Sequence, residues 1–511
     1  MLLDSAFAPY RLAPGALPED GSHAARLVGA GPLVAEPDLP LRPALLSEAL
    51  ASVESGRAAS EAEACRSAAG GLAGDPGAPL ACLVGERHRQ RVGEETRAAL
   101  AAGYAGVVFQ QPDAPLVEGM LGAGFCPDCQ REFQRRLVRK YGEQFQPLDF
   151  LATARAALAG APGALSTEAL PFGRDFWRFR HESLERAVRA HVRAARDAGR
   201  QAGRGFSLGG WFGALGPSQL AAARHLDAAV FPVALSGHPL VGRFELLRGA
   251  LWRRAVAVEP PAGAPPAAWL RLASLAAPYG IGLAGVQPGG EAGAVLAGIR
   301  ALMREVAARG GSPAAATPLT ECSVLYSAEA DLWSGGRHRR AVEAAIEALA
   351  SRQLQVTLAL RPSEVPAGAP LVLADAQPLS RVESRELEKR RATGGVLLAF
   401  AGPGDEVSFG RSVDAILPAE RRAVAFTASV PVIAAVRAHA GGVDVHLATA
   451  WPERAARVRL RLPVVATRGA RRARFRMSDG AEARVRLDGA GDWVVTELPT
   501  FTGYAVLSPE T

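Results

Sequence analysis

The stretch that decides the fold is Ala255-Val256-Ala257-Val258-Glu259-Pro260-Pro261. Its small and β-branched apolar residues predict a buried strand, and the Pro pair ends that strand directly after Glu259. A helical stretch containing Trp269 comes next, and residues Ile281–Val286 predict a second strand. A strand, a helix and another strand in this order indicate parallel pairing across a helical crossover.

The same alternation extends upstream and downstream, from about residue 80 to residue 310. This number of units predicts either a doubly wound sheet or a closed barrel. Residues 1–79 show only one good helix, around Pro43–Ser55. If a barrel is present, its first strands must lie in this segment, which has few residues with a strand pattern. The predicted strands are 80–84, 104–109, 205–208, 226–231, 255–258 and 281–286, and the predicted helices are 91–102, 127–141, 173–202 and 292–309.

Two regions with different patterns of predicted secondary structure follow the linker candidate Gly310–Ala314. Residues 318–420 alternate short strands with helices and predict a small α/β domain. Residues 422–511 lose helical periodicity, and their alternating strands predict a β-sandwich. We therefore expect three domains, at 1–311, 318–420 and 422–511.

Composition excludes several classes of protein. The net charge is +7, yet in Arg457–Leu462 the Arg residues alternate with apolar ones, which puts the charges on the solvated face of a strand rather than in a nucleic-acid site. Five Cys do not make a disulfide framework. No signal peptide and no apolar run long enough for a bilayer is evident, so we expect a cytoplasmic protein without nucleic-acid or membrane partners.

Short motifs carry a resemblance to a known family. The segment Phe125-Cys126-Pro127-Asp128-Cys129 opens a helix that ends in Tyr141-Gly142, and Phe176-Trp177 follows. A strand closed by Glu259 comes later, and Phe501–Leu507 ends the chain. In this order the segments resemble the glycoside hydrolase family 42 β-galactosidases.

The resemblance implies a (β/α)8 TIM-type barrel with reduced N-terminal strands, followed by a flavodoxin-like α/β domain and a C-terminal β-sandwich. It also implies a carbohydrate partner of the β-galactoside type, a retaining mechanism that needs no cofactor, and assembly as a homo-oligomer, a trimer in the family. Glu259 matches the family's nucleophile, although an ion pair with Arg253 or Arg254 would also explain a strand-end Glu.

The second carboxyl group of the family is missing from its expected place. The residues after the strand at 106–109 are Gln110 and Gln111, and Gln111 stands where the proton-shuttling Glu should be. An amide cannot hold a transferable proton near neutral pH. Asp113 or Glu118 could take over the acid/base role; otherwise the chain is an inactive carbohydrate-binding or scaffolding protein.

Further residues are candidates for sugar and metal binding. Sugar rings stack on aromatic faces, and strand ends form the active face of a barrel. The resemblance further implies a structural zinc at Cys82, Cys126 and Cys129, with His88 as a candidate fourth ligand. A C-x-x-C pair is also compatible with a redox role. The substrate-binding candidates are Gln110, Trp211, Phe212, His238 and Trp269, the aromatic ones being also compatible with core packing.

Overall fold

The computed structural model describes residues 50–510 and the two-residue strand Ala24–Ala25. Within 50–510 it leaves out residues 118, 143–148, 161–169, 204, 236–238, 253, 286–287, 309–315, 367, 423 and 440–441. Glu118, His238 and the linker candidate 310–314 therefore lie outside the described residues.

The first sheet has seven described strands in the order β1-β2-β5-β6-β7-β8-β9. All neighbouring pairs are parallel except the antiparallel pair of β1 with β2. In the described part of the chain no ladder joins β9 back to β1, so the barrel is open there. The strands are β1 Ala24–Ala25, β2 Leu50–Val53, β5 Gly106–Gln110, β6 Ser207–Trp211, β7 Ala228–Pro232, β8 Ala255–Glu259 and β9 Gly282–Leu283, and β3 Gly74–Asp75 with β4 Ala78–Pro79 forms a separate hairpin.

Helices connect these strands as the crossover pattern predicts. Helix α4 spans Pro127–Tyr141, the predicted 127–141, because Pro127 suits the first turn and Gly142 ends the helix with a φ of 64°. The helices are α1 Glu86–Ala101, α2 Ala114–Val117, α3 Gly119–Gly122, α4 Pro127–Tyr141, α5 Phe150–Gly160, α6 Gly173–Gln201, α7 Pro217–Ala223, α8 Leu240–Ala250, α9 Pro266–Ala276 and α10 Gly290–Ala308.

Two expectations about the N-terminal part are wrong. The described end of the predicted helix Pro43–Ser55 is strand β2, whose residues pair in parallel with β5 from Leu50↔Gly106 to Val53↔Phe109. Tertiary pairing overrides the local helical pattern here. The predicted strand Leu80–Val84 makes only isolated bridges at Leu80 and Ala81, since its chain turns at Cys82 to enter α1.

The middle region is a four-stranded parallel sheet in the order β12-β11-β13-β14. Buried Gly242 of α8 packs against the backbone of Glu343 in α12, where a Cβ would lie 1.9 Å from the Glu343 carbonyl oxygen. The elements are β11 Cys322–Leu325, α11 Ala328–Trp333, α12 Arg337–Ala350, β12 Val356–Ala359, β13 Leu371–Ala374, α13 Arg381–Ala392, β14 Leu397–Phe400 and α14 Glu406–Ile416, preceded by β10 Thr317–Pro318.

The C-terminal region consists of two antiparallel sheets, in the orders β10-β16-β17-β25-β20-β21 and β15-β19-β23-β22. A separate apolar core fills the space between them, with Val445, Leu460 and Phe475 fully buried. The elements are β15 Ala425–Thr427, β16 Ile433–His439, β17 Gly442–Ala448, β18 Arg454–Ala455, β19 Val458–Pro463, α15 Val464–Thr467, β20 Arg472–Met477, β21 Glu482–Arg486, β22 Asp488–Ala490, β23 Trp493–Leu498, β24 Phe501–Thr502 and β25 Tyr504–Glu510.

This architecture confirms the expected fold class: a TIM-type barrel, a flavodoxin-like α/β unit and a β-sandwich. One apolar core runs from the barrel into the α/β unit. No helix among the described residues is both long and apolar enough to cross a membrane.

Candidate functional site

The carboxyl ends of the parallel strands bring three predicted site residues to one edge of the sheet. Gln110 lies beside Trp211 in the β5–β6 ladder, and Glu259 lies beside Pro232 in the β7–β8 ladder. In barrels this edge is the active face, where side chains from several strand ends converge.

The side chain of Glu259 in β8 is bound by the Trp211 indole of β6, which reaches across the intervening strand β7. The Trp211 Nε1–H donates to Glu259 Oε2 at 2.7 Å, and among the described residues Oε1 has no hydrogen-bond partner. Burial raises the pKa of Glu259, and the Trp211 hydrogen bond opposes that rise because it favours the carboxylate. The group is half-buried and keeps one oxygen free to meet a ligand.

Gln111 joins the same constellation through its backbone. Its N–H donates to the Trp211 carbonyl oxygen at 2.7 Å, and its φ is 41°, in the left-handed region that non-glycine residues seldom occupy. Such conformations concentrate at functional sites, where the surrounding structure maintains them. Among the described residues, the side-chain amides of Gln110 and Gln111 have no hydrogen-bond partner, and both residues are partly exposed.

Asp113, an acid/base candidate from the sequence, lies in the loop after β5 and contacts the loop after β6. Its side chain is fully buried and binds the loop that follows β6, accepting from the backbone N–H of Gly213 at 2.8 Å and of Ala214 at 3.1 Å. The Gln219 amide donates to it at 3.1 Å. Burial raises the pKa of Asp113. Because both oxygens are occupied, this carboxyl group fixes the loop behind Trp211.

The aromatic candidates separate into two groups. Trp211 is partly exposed and touches Glu259, as a residue of the binding face would. Trp269 is buried beside Gly285, where a Cβ would lie 3.4 Å from the indole and 4.0 Å from Glu259 Cγ. The expectation that Phe212 binds sugar is not supported, since its ring is 1% exposed and stacks on Phe231 at 5.1 Å.

A second constellation lies away from the strand ends. The sulfurs of Cys65, Cys126 and Cys129 lie within 4.8 Å of one another, and Cys82 Sγ lies 3.1 Å from Cys126 Sγ and 3.6 Å from Cys129 Sγ. All four side chains are buried and none forms a disulfide. Cys65, Cys126 and Cys129 are a ligand set that could hold a metal ion, and Cys82 lies beside two of them.

The surroundings of the four cysteines suit a metal site. The Gly124 N–H donates to Cys65 Sγ at 2.9 Å, a contact that stabilises a thiolate. Hydrogen bonds from the neighbouring thiols hold the pKa of Cys65 well below its usual value, and the largest contribution comes from Cys126. Phe133 of α4 packs on Phe176 at 5.1 Å and on Phe150 at 5.0 Å beneath the cluster.

Sequence reasoning missed Cys65 and offered His88 instead. His88 lies outside the cluster, with Nδ1 at 3.2 Å from Arg91 Nη2, and burial lowers its pKa to about 4. Cys65 follows a 3-10 turn at Glu61–Glu63 in a segment without regular periodicity. The only signal available in the sequence was that it is one of five cysteines.

The fold is a TIM-type barrel, and one edge of its sheet carries Gln110, Trp211 and Glu259 at the strand ends. The chain is similar in structure to a family 42 β-galactosidase from G. stearothermophilus, with a TM-score of 0.57 and 12% identity over 88% of each chain. An α-L-fucosidase isoenzyme from Paenibacillus thiaminolyticus gives the same score and identity over 88% of this chain and 85% of that one. The β-galactosidase from Rahnella sp. R3 gives 0.55 and 12% over 88% of each.

These likenesses confirm the expected resemblance at the level of the fold. No protein-family profile and no curated protein sequence matches the chain.

Proposed function

We propose that the protein is a retaining glycosidase that acts on β-galactoside-type carbohydrates with Glu259 as its nucleophile. The observation that carries this proposal is the Glu259 carboxylate at the end of a barrel strand, bound on one oxygen by Trp211 and free on the other. A single anchored oxygen orients the carboxylate, and the other can approach an anomeric carbon.

The proposed reaction has two steps. Glu259 Oε1 attacks the anomeric carbon, the bond to the leaving group breaks with its electron pair, and a glycosyl ester forms. Water then attacks the same carbon and loses a proton to the solvent, the ester C–O bond breaks, and the sugar and the Glu259 carboxylate are released. Trp211 orients Glu259 throughout, and the Gln110 and Gln111 amides can bind sugar hydroxyls.

We also propose that Cys65, Cys82, Cys126 and Cys129 hold a structural zinc ion. A tetrahedral zinc–thiolate site has sulfurs about 3.8 Å apart, from a Zn–S distance of about 2.3 Å, and the sulfur separations of 3.1 and 3.6 Å approach that value. When bound, the ion would cross-link three loop segments and supply no catalytic chemistry. Assembly as a trimer stays a prediction, measurable by light scattering.

Hydrolysis of 4-nitrophenyl β-galactoside and of the matching α-L-fucoside tests the glycosidase proposal. We expect turnover of at least one of the two, and a loss of at least about 10³-fold in kcat/KM for Glu259→Gln, because the amide cannot form the ester. Glu94→Gln is the matched control, since Glu94 is exposed on α1. Sugar binding without turnover, unchanged in Glu259→Gln, would instead favour a carbohydrate-binding protein.

A further inference from the structure

The polar groups around Glu259 share one chemical property. Its direct partner is the Trp211 indole N–H of β6. The neighbouring strand β5 ends at Gln110, and Gln111 follows directly after it. An indole and an amide hydrogen-bond to sugar hydroxyls, but neither transfers a proton at neutral pH. This edge of the sheet is built for binding and nucleophilic attack.

The next carboxyl group in the chain after these amides is that of Asp113, which is not exposed at the strand-end site. Asp113 is fully buried, with its oxygens on Gly213, Ala214 and Gln219. To give a proton to a leaving group it would have to release these bonds and move through the loop that it fixes. Its place in the fold therefore serves the loop and not the substrate.

We propose that the substrates are glycosides whose aglycone leaves as a stable anion without protonation, such as thioglycosides and acidic aryl glycosides. This inference rests on the proposed function. Glu259 attacks the anomeric carbon and the C–S or C–O bond breaks, so that the electron pair departs on the thiolate or aryloxide. An amide such as that of Gln111 can hydrogen-bond to the departing group but cannot protonate it.

The second step has a matching consequence. Among the described residues, the side chain that hydrogen-bonds to Glu259 is an indole, which cannot take a proton from attacking water. We therefore expect slow hydrolysis of the glycosyl ester. An anion that needs no deprotonation should react faster than water does. Azide would attack the anomeric carbon, release Glu259 and give the glycosyl azide with the configuration of the substrate.

Leaving-group dependence of the wild-type protein tests the proposal. We expect 2,4-dinitrophenyl and phenyl-thio β-galactosides to be cleaved and alkyl galactosides not to be, with the α-L-fucosides run in parallel. Azide should accelerate turnover of the dinitrophenyl substrate and yield the glycosyl azide. Equal rates on dinitrophenyl and alkyl galactosides, without an azide effect, would overturn the substrate class and leave Glu259 as the nucleophile.

Variants sharpen the same test. Gln111→Glu introduces a proton donor, so the ratio of kcat/KM between dinitrophenyl and phenyl galactoside should fall by about 10²-fold, within the range that general acid catalysis supplies. Gln110→Glu serves as the neighbouring variant if Gln111→Glu does not fold, and Glu94→Gln should leave the ratio unchanged. An unchanged ratio in both Gln variants would contradict the proposal. If no dinitrophenyl glycoside reacts and no glycosyl ester forms, the proposed function itself fails.

Discussion

The cysteine cluster and the strand-end site belong to one barrel but are assembled in different ways. The cluster takes its four sulfurs from loops and from the first turn of α4, and every member is buried. The strand-end site takes Gln110, Trp211 and Glu259 from the strand ladders of one sheet, whose pairing sets their register. A change at a strand end can therefore alter the chemistry while the fold persists, whereas the cluster depends on all its members at once.

The largest expected effect is on the cluster. Cys65→Ser should remove the zinc, because a three-sulfur site with one hydroxyl binds the ion weakly, and should lower the free energy of unfolding by about 3–5 kcal/mol. Metal analysis and thermal unfolding measure both quantities, with one zinc per chain expected in the wild type.

Cys322→Ser is the matched control for Cys65→Ser. Cys322 is equally buried but lies in β11, apart from the cluster. The Cys322→Ser variant should therefore keep its zinc. Full zinc content in Cys65→Ser, or loss of zinc in Cys322→Ser, would show that the four sulfurs are not the ligands.

A smaller effect is expected at the support of the strand-end site. Asp113→Asn replaces one acceptor oxygen by an NH2 group that faces N–H donors, which leaves buried groups unsatisfied and should cost about 1–3 kcal/mol of unfolding free energy. Denaturant unfolding measures the cost. A drop in kcat/KM should accompany it, since the loop behind Trp211 is released.

Asp75→Asn provides the comparison for Asp113→Asn. Asp75 also accepts a backbone N–H, from Gly77 at 2.9 Å, but is exposed, so the cost should stay below about 0.5 kcal/mol. Equal costs at the two positions would mean that Asp113 does not fix the loop.

The smallest effect expected is a shift in pH dependence. Glu259 must be ionised to attack, so activity falls as the pH drops through its pKa. The Trp211 hydrogen bond lowers that pKa against the rise caused by burial. Trp211→Phe removes the donor, so the acidic limb of the kcat/KM profile should move to higher pH. Trp252→Phe, whose indole lies on Arg248, should leave the limb in place; a shift toward lower pH in Trp211→Phe would be inconsistent with this role.

The sequence predicted those parts of the fold that local patterns determine. The bounds of α4 follow from Pro127 and Gly142, and Glu259 ends its strand because two prolines follow it. Strand β2 was mistaken for helix because only its pairing with β5 identifies it. The local sequence does not show how deeply a side chain is buried. Asp113 was therefore predicted as an acid/base candidate and Phe212 as a sugar-binding residue, although both side chains are buried. Cys65 was not predicted as a metal ligand because it lies far from Cys126 in the sequence and comes close to it only in the folded chain.

The most direct test of the central claim is to trap the glycosyl ester on Glu259. The protein would be incubated with 2,4-dinitrophenyl 2-deoxy-2-fluoro-β-galactoside, whose fluorine slows the second step, and the adduct located by peptide mass spectrometry. We predict one fluorogalactosyl group per chain on the peptide that contains Glu259, and none in Glu259→Gln. An adduct on another residue, or turnover of the parent galactoside without any adduct on Glu259, would contradict the account.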